Sequence, residues 1–281
     1  MSVVSGMRFA AALCVAGCMW DAPPVEWKAP SPIAAGSDTT VRYQARWQPG
    51  ATPEVSVTHL AAPDSSDGST GLATPSAVCR GSRISATAVR GSVWSASWQV
   101  RADSSAVLLA DQRDTSGTSL QRIVVDSIDV ATLGCARPAP SIAVDSVNGY
   151  VHVAYYMVAP EGPGLFYAHL MNTKLRQFEA PLAIVYGEKA VHVAVASRAD
   201  TVALAYEDPN SERGRIAMSM SLTGGHLFEQ TARLIPVSTS SQEASAPQIV
   251  RLAGGQLWIG WTEASASGHA FLLRQARIVP R

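Results

Sequence analysis

Charge is scarce in this chain. Asp, Glu, Lys and Arg make up 16% of its 281 residues, well below the roughly one quarter usual in globular domains. The polar surface must lean on Ser, Thr, Asn and Gln. An excess of one sign is absent too. The 22 basic and 22 acidic residues cancel, and no basic run occurs, which argues against nucleic acid as a partner. Lysine occurs only at 28, 174 and 189, so most arginines serve as the general surface cation. The six histidines are dispersed, none at ligand spacing from a cysteine or carboxylate, so no metal site is expected. Neither a Gly-x-Ser-x-Gly elbow nor a phosphate loop appears, and no cofactor is expected. Past the first residues, no apolar stretch approaches membrane-spanning length.

The N-terminus is informative. Arg8 precedes an apolar run, Phe9 to Ala16, and Gly17 and Cys18 follow. This run is too short to span a membrane as a helix and reads as an export signal with a processing site. Val15-Ala16-Gly17-Cys18 resembles the lipobox of bacterial lipoproteins. The resemblance implies that residues 1–17 are removed and that the Cys18 thiol carries a diacylglycerol. Two or more acyl chains would then hold the protein at a membrane. Met19 stands where lipoproteins retained at the inner membrane usually carry Asp, so the resemblance points to the outer membrane or cell surface. Besides the lipidated Cys18, two cysteines remain after such processing, Cys79 and Cys135. An even pair in an exported chain suggests a disulfide, and free buried thiols are the alternative. A bridge would be worth about 4 kcal/mol in the chain-entropy model.

A short phrase recurs along the rest: apolar, any, apolar, small, aromatic. The copies are Trp94 to Trp98, Val151 to Tyr155, Val202 to Tyr206 and Leu257 to Trp261, with a weaker one at Tyr43 to Trp47. The closing aromatics are spaced by 51, 57, 51 and 55 residues. Strand-like units repeating at that interval predict an all-β fold, a β-propeller of four-stranded blades. Five blades are expected, with six as the alternative. The third repeat is clearest, with strands over 141–144, 151–156, 165–170 and 178–186 and a turn at Asn148-Gly149. The fourth gives 191–196, 202–206, 215–221 and 228–237. The second gives 83–89, 93–100, 106–111 and 121–128. In the first, Val55 to Leu60 is the third strand and Leu72 to Val78 could be the outer one. The last repeat lacks an outer strand after Ala270 to Arg277, and Val25 to Pro30 can supply it, closing the ring. The expected organisation is residues 1–17 as signal peptide, 18–30 as anchor, linker and closing strand, and 31–281 as the propeller.

Pro140 to Asp145 followed by Val151 to Tyr156 resembles the blades of sialidase-like, BNR-repeat propellers. Ser221 to Phe228 is similar to their Asp-box, with Thr223 for Asp and Phe228 for Trp. The resemblance implies ligand binding over one end of the sheets, where Arg83, Arg137, His192, Gln248, Tyr156, Glu207, Asp208 and Glu263 would gather. Three functions fit. A sialidase would need an arginine clamp on the substrate carboxylate, and Arg83-Ile84-Ser85 departs from the Arg-Ile-Pro of that family. A two-carboxylate glycosidase would use Glu207 and Glu263, which close strand two in neighbouring blades; solvated strand ends or ion pairs are the alternative. A non-catalytic module would bind glycan, peptide or a partner protein, with Arg83, Tyr156 and Asp208 as contacts and Trp47, Trp98 and Trp261 as further aromatics. Repeated aromatics usually pack between blades, and Tyr156 extends past the phrase. The expectation is an exported, lipid-anchored monomer that binds rather than cleaves.

Overall fold

The computed structural model describes residues 25–36, 41–47, 53–59, 77–78, 85–89, 91–101, 103, 105–131, 137–171, 176–228, 234–251 and 253–279. Among these residues every regular element is a β-strand apart from one 3-10 turn, Ala253–Gly255. The strands are β1 (Val25–Trp27), β2 (Ser31–Gly36), β3 (Val41–Arg46), β4 (Glu54–His59), β5 (Ala77–Val78), β6 (Ser85–Val89), β7 (Ser92–Val100), β8 (Ala106–Asp114), β9 (Ser119–Asp126), β10 (Ser141–Val144), β11 (Val151–Ala159), β12 (Gly162–Leu170), β13 (Leu182–Tyr186), β14 (Val193–Arg198), β15 (Thr201–Glu207), β16 (Ile216–Ser221), β17 (Ile235–Pro236), β18 (Ala244–Arg251), β19 (Gln256–Ser265) and β20 (Gly268–Ile278).

They form antiparallel sheets that follow one another along the chain. The first is the hairpin β3–β4. The second runs β6-β7-β8-β9, with β5 on the same edge of β7 as β6. The third is β10-β11-β12-β13 and the fourth β14-β15-β16-β17. The fifth is β18-β19-β20, and its outer edge is completed by β1 and β2 from the N-terminus. Val25 lies opposite Ile278 and Trp27 opposite Ala276, so the strand expected there from the sequence does pair with the last one. The first strands β6, β10, β14 and β18 stand next to one another in that order.

Hairpin chemistry fixes the registers. In the third sheet Asp145 is fully buried, and its Oδ1 accepts the Val147 amide at 2.7 Å. Gly149 at φ 80° closes the turn with its amide on the Asp145 carbonyl, 2.9 Å. That conformation costs glycine little.

The sheets pack face to face, and the recurring aromatics lie between them. Trp98 and Tyr155 meet edge to face at 6.0 Å between the second and third sheets. Tyr206 packs with Tyr167 and Leu165 between the third and fourth, and Trp261 with Met218 and Ile259 between the fourth and fifth. All four recurring aromatics are fully buried. The small residue of the phrase faces the other way. Ala205 and Ala154 sit in the next seam along, and a Cβ on Gly260 would stand 2.4 Å from Phe271 Cζ. The phrase is out of phase in the second sheet. There Trp98 points toward the third sheet, whereas Tyr155, Tyr206 and Trp261 point back toward the preceding one.

Two outer strands are shorter than the sequence suggests. The one expected over 178–186 begins only at Leu182, because Pro181 has no amide for the ladder and Phe178 is drawn into the core between the second and third sheets. The one expected over 228–237 pairs only at Ile235–Pro236, since Phe228 turns inward onto Tyr167. Ala77 and Val78, expected in the first repeat, pair instead with Val100 and Gln99 of the second sheet.

Candidate functional site

Side chains two apart on a strand share a face. Glu207 therefore shares the β15 face with Ala203 and Ala205, which pack between the fourth and fifth sheets. Glu263 shares the β19 face with Leu257, Ile259 and Trp261, in the same core. Both glutamates thus project into one seam from facing sheets, each at the C-terminal end of its strand.

Both carboxylates are engaged. Glu207 Oε2 accepts the His192 amide at 3.1 Å, its Oε1 lies 3.2 Å from His192 Nδ1, and Oε1 accepts the Ala246 amide at 2.8 Å. Ala246 sits in a bulge of β18 at φ 53°. The bulge directs its N–H to the glutamate, and a non-glycine residue there is strained. Burial pushes the Glu207 carboxyl up, but the hydrogen bond and charge of His192 and the two amides outweigh it and hold the group below its ordinary range. Glu263 is buried, and its Oε2 accepts the Trp261 indole N–H at 3.0 Å. Trp261, fully buried, is thereby anchored at the end of the seam.

The other expected residues are mostly structural. The Tyr156 ring is buried, and its hydroxyl donates to the Gly187 and Glu188 carbonyls at 3.2 and 3.1 Å, tying the loop after β13. Burial, then the Glu188 and Asp129 charges, push its pKa up. Asp208 accepts the Asn210 amide at 3.0 Å and builds the β15–β16 turn. Gln248 accepts the Ala45 amide at 2.9 Å and donates to the Tyr43 carbonyl at 2.7 Å, fastening the first hairpin to the fifth sheet. Arg137 is buried in an ion pair with Asp129, Nε to Oδ2 2.9 Å. Trp47 lies at the first hairpin, edge-on to Trp258 at 6.0 Å. Cys18, Cys79, Arg83 and Cys135 lie outside the described residues.

A second cluster joins histidines that are far apart in sequence. His152 and His169 are register partners on β11 and β12, at the end of the third sheet near the β10–β11 turn. His152 Nδ1 lies 2.6 Å from Tyr167 Oη, and Tyr167 stacks on His169 at 5.7 Å. Burial, then the neighbouring His169, push the His152 pKa down to about 3. Burial likewise lowers His169, with Glu179 opposing and His226 adding. Glu179 is held opposite His169 by its amide on the His169 carbonyl, 2.9 Å. His226 comes from the loop after β16, the stretch similar to an Asp-box. That loop is pinned by hydroxyls: Ser221 Oγ accepts the Gly225 amide at 3.1 Å and Thr223 Oγ1 the Leu227 amide at 3.0 Å. Sequence reading missed this meeting because its members come from β11, β12, the segment before β13 and the loop after β16. Its one legible sign was the histidine inside the Asp-box-like stretch.

No protein-family model matches the chain, and no curated protein matches it. Solved structures resemble it at low identity. A protein of unknown function from Dyadobacter fermentans is 14% identical with a TM-score of 0.48, over 67% of this chain and 51% of that one. This chain therefore spans about half of that protein's length. An endo-arabinase from Bacteroides thetaiotaomicron is 10% identical with a TM-score of 0.42, over 70% and 74%. A neuraminidase-like protein of a flat-faced bat influenza A virus is 11% identical with a TM-score of 0.46, over 79% and 67%.

Proposed function

We propose that the chain is an exported, lipid-anchored five-bladed β-propeller that binds a glycan, a peptide or a partner protein and does not hydrolyse it. Five successive sheets, with the N-terminal strands on the outer edge of the last, support the blade count. The lipobox-like Val15 to Cys18 supports an anchor in the outer membrane or at the cell surface. One observation carries the binding reading over the enzymatic one. The two carboxylates best placed for catalysis are consumed by the fold, Glu207 on two backbone amides and His192, Glu263 on the buried indole of Trp261. A general acid needs a raised pKa, and that of Glu207 is lowered, which leaves it unsuited to the acid's role in a two-carboxylate mechanism and compatible with the ionised partner's.

The second reading, a two-carboxylate glycoside hydrolase, draws on the same pair, because both glutamates enter one seam. A thermal-shift screen of the full chain against glycans and chromogenic glycosides separates the two. A bound ligand raises the melting point with ln(1 + [L]/Kd). The binding reading expects a shift with at least one ligand and no sugar released. Turnover abolished by Glu207→Gln or Glu263→Gln would overturn it.

A further inference from the structure

One nitrogen each of His169 and His226 and one carboxylate oxygen of Glu179 lie within 4.8 Å of one another. Glu179 Oε2 is 3.4 Å from His169 Nε2 and 3.9 Å from His226 Nδ1. Donor atoms around a tetrahedral zinc ion, with bonds of about 2.0–2.2 Å, stand roughly 3.4 Å apart. Two sides of the observed triangle are already near that size, and the third, between the histidine nitrogens, is within 4.8 Å. The two members that must close further, Glu179 and His226, are about half exposed, with the His226 ring edge-on to that of His169 at 4.9 Å, whereas His169 is buried in the sheet.

A second, independent observation points to a ligand. The Nε2 atoms of His152 and His169 are buried without a hydrogen-bond partner, and both residues are at least 98% covered. Buried polar atoms nearly always find a partner. For His169 Nε2, the atom facing Glu179, a metal ion would be that partner. The surroundings are built around the triangle. His169 stacks on Tyr167 and on His152, at 5.7 and 6.3 Å, and Tyr167 is held in turn by His152 and capped by Phe228 at 4.9 Å. Such outer contacts fix the orientation of a metal-binding imidazole. Gly225 makes room for them: a Cβ there would fall 1.9 Å from the Tyr167 hydroxyl. We propose that His169, Glu179 and His226 form a binding site for a divalent transition-metal ion of the zinc class.

The donor set selects the ion. Two imidazoles with one carboxylate suit zinc and its neighbours, while calcium and magnesium take oxygen donors. Three protein ligands leave a fourth position for water. The exposure of Glu179 and His226 places that position toward solvent. The site lies between the third and fourth sheets, away from the Glu207–Glu263 seam, so it holds whether the chain binds or cleaves its ligand.

The test is a titration of the full chain, freed of metal by a chelator, with Co²⁺ followed by displacement with Zn²⁺. One ion per chain should bind saturably, with the visible bands of four- or five-coordinate cobalt, and zinc should abolish them. Glu179→Gln and His226→Ala, both at exposed positions, should each weaken binding roughly tenfold or more while metal-free melting stays that of the wild type. His269→Ala, elsewhere on the fifth sheet, should bind as the wild type does. The proposal is overturned by the absence of saturable uptake, or by uptake that Glu179→Gln and His226→Ala leave unchanged.

Discussion

Removing Arg137 should unfold the protein far more easily than removing both members of its ion pair. Arg137 Nε donates to Asp129 Oδ2 at 2.9 Å and Nη2 to Oδ1 at 3.3 Å, and both side chains are 2% exposed. The guanidinium also lies 5.7 Å over the Trp98 ring, and Asp129 accepts the Ala131 amide at 2.8 Å. The pair thus organises the segment joining the second and third sheets. Arg137→Met keeps the length of the side chain but leaves the Asp129 carboxylate buried with its charge uncompensated. Breaking a buried pair on one side costs about 3–5 kcal/mol, or roughly 10 °C in a domain this size. Arg137→Met combined with Asp129→Leu removes both charges and leaves the Ala131 amide and the Ala131 carbonyl, which accepts from Arg137 Nη2, short of partners, at about 1–3 kcal/mol. Equilibrium urea unfolding, followed by tryptophan fluorescence, compares the wild type, the two single variants and the double variant. The double variant should be more stable than Arg137→Met alone. A cost below about 1 kcal/mol for Arg137→Met, or a double variant that loses the sum of the two singles, would refute the reasoning.

Gly225→Ala should destabilise the chain by about 2 kcal/mol or more, since it combines φ 95° with a Cβ 1.9 Å from the Tyr167 hydroxyl; thermal melting checks it. Gln248→Ala removes the two side-chain bonds from β18 to β3 and should cost about 1–3 kcal/mol, with hydrogen exchange accelerating first in the β3–β4 hairpin. The Glu207 carboxyl is held below its ordinary range in the fold, so its stabilisation is complete above that range and fades as pH falls through it. Glu207→Gln should therefore flatten the acid limb of the stability curve measured from neutral pH down through and below the ordinary carboxylate range. Cys18→Ser should move the expressed protein from the membrane to the soluble fraction, read by fractionation and by the mass of the N-terminal peptide.

The central strands were legible because they alternate cleanly. Val151 to Tyr155 and Val202 to Tyr206 fall in β11 and β15, and the aromatic and the small residue at the end of each phrase occupy opposite seams. The pairing of Val25 to Trp27 with the C-terminal strand was legible from the missing edge it fills. Edges were less readable. Phe178 and Phe228 look like strand residues, yet each finds more apolar surface by turning inward than an outer strand offers. The opposite orientation of Trp98 was hidden because the phrase reads the same whichever seam its aromatic faces. At the candidate site, the clamp on Glu207 by His192 and Ala246 depends on a bulge in β18 that no residue pattern announced. Tyr156 extends past its phrase in sequence and still packs inside. The histidine cluster draws on four separate segments, and spacing along the chain carries no trace of such a meeting.

The most direct test of the binding account is to measure glycoside turnover and unfolding free energy together for the wild type and Glu207→Gln. The account predicts no turnover in either protein, with a loss of about 1–3 kcal/mol in the variant as the two backbone amides give up a charged acceptor. Wild-type turnover that disappears in a Glu207→Gln variant of undiminished stability would contradict it and make the glutamate pair catalytic.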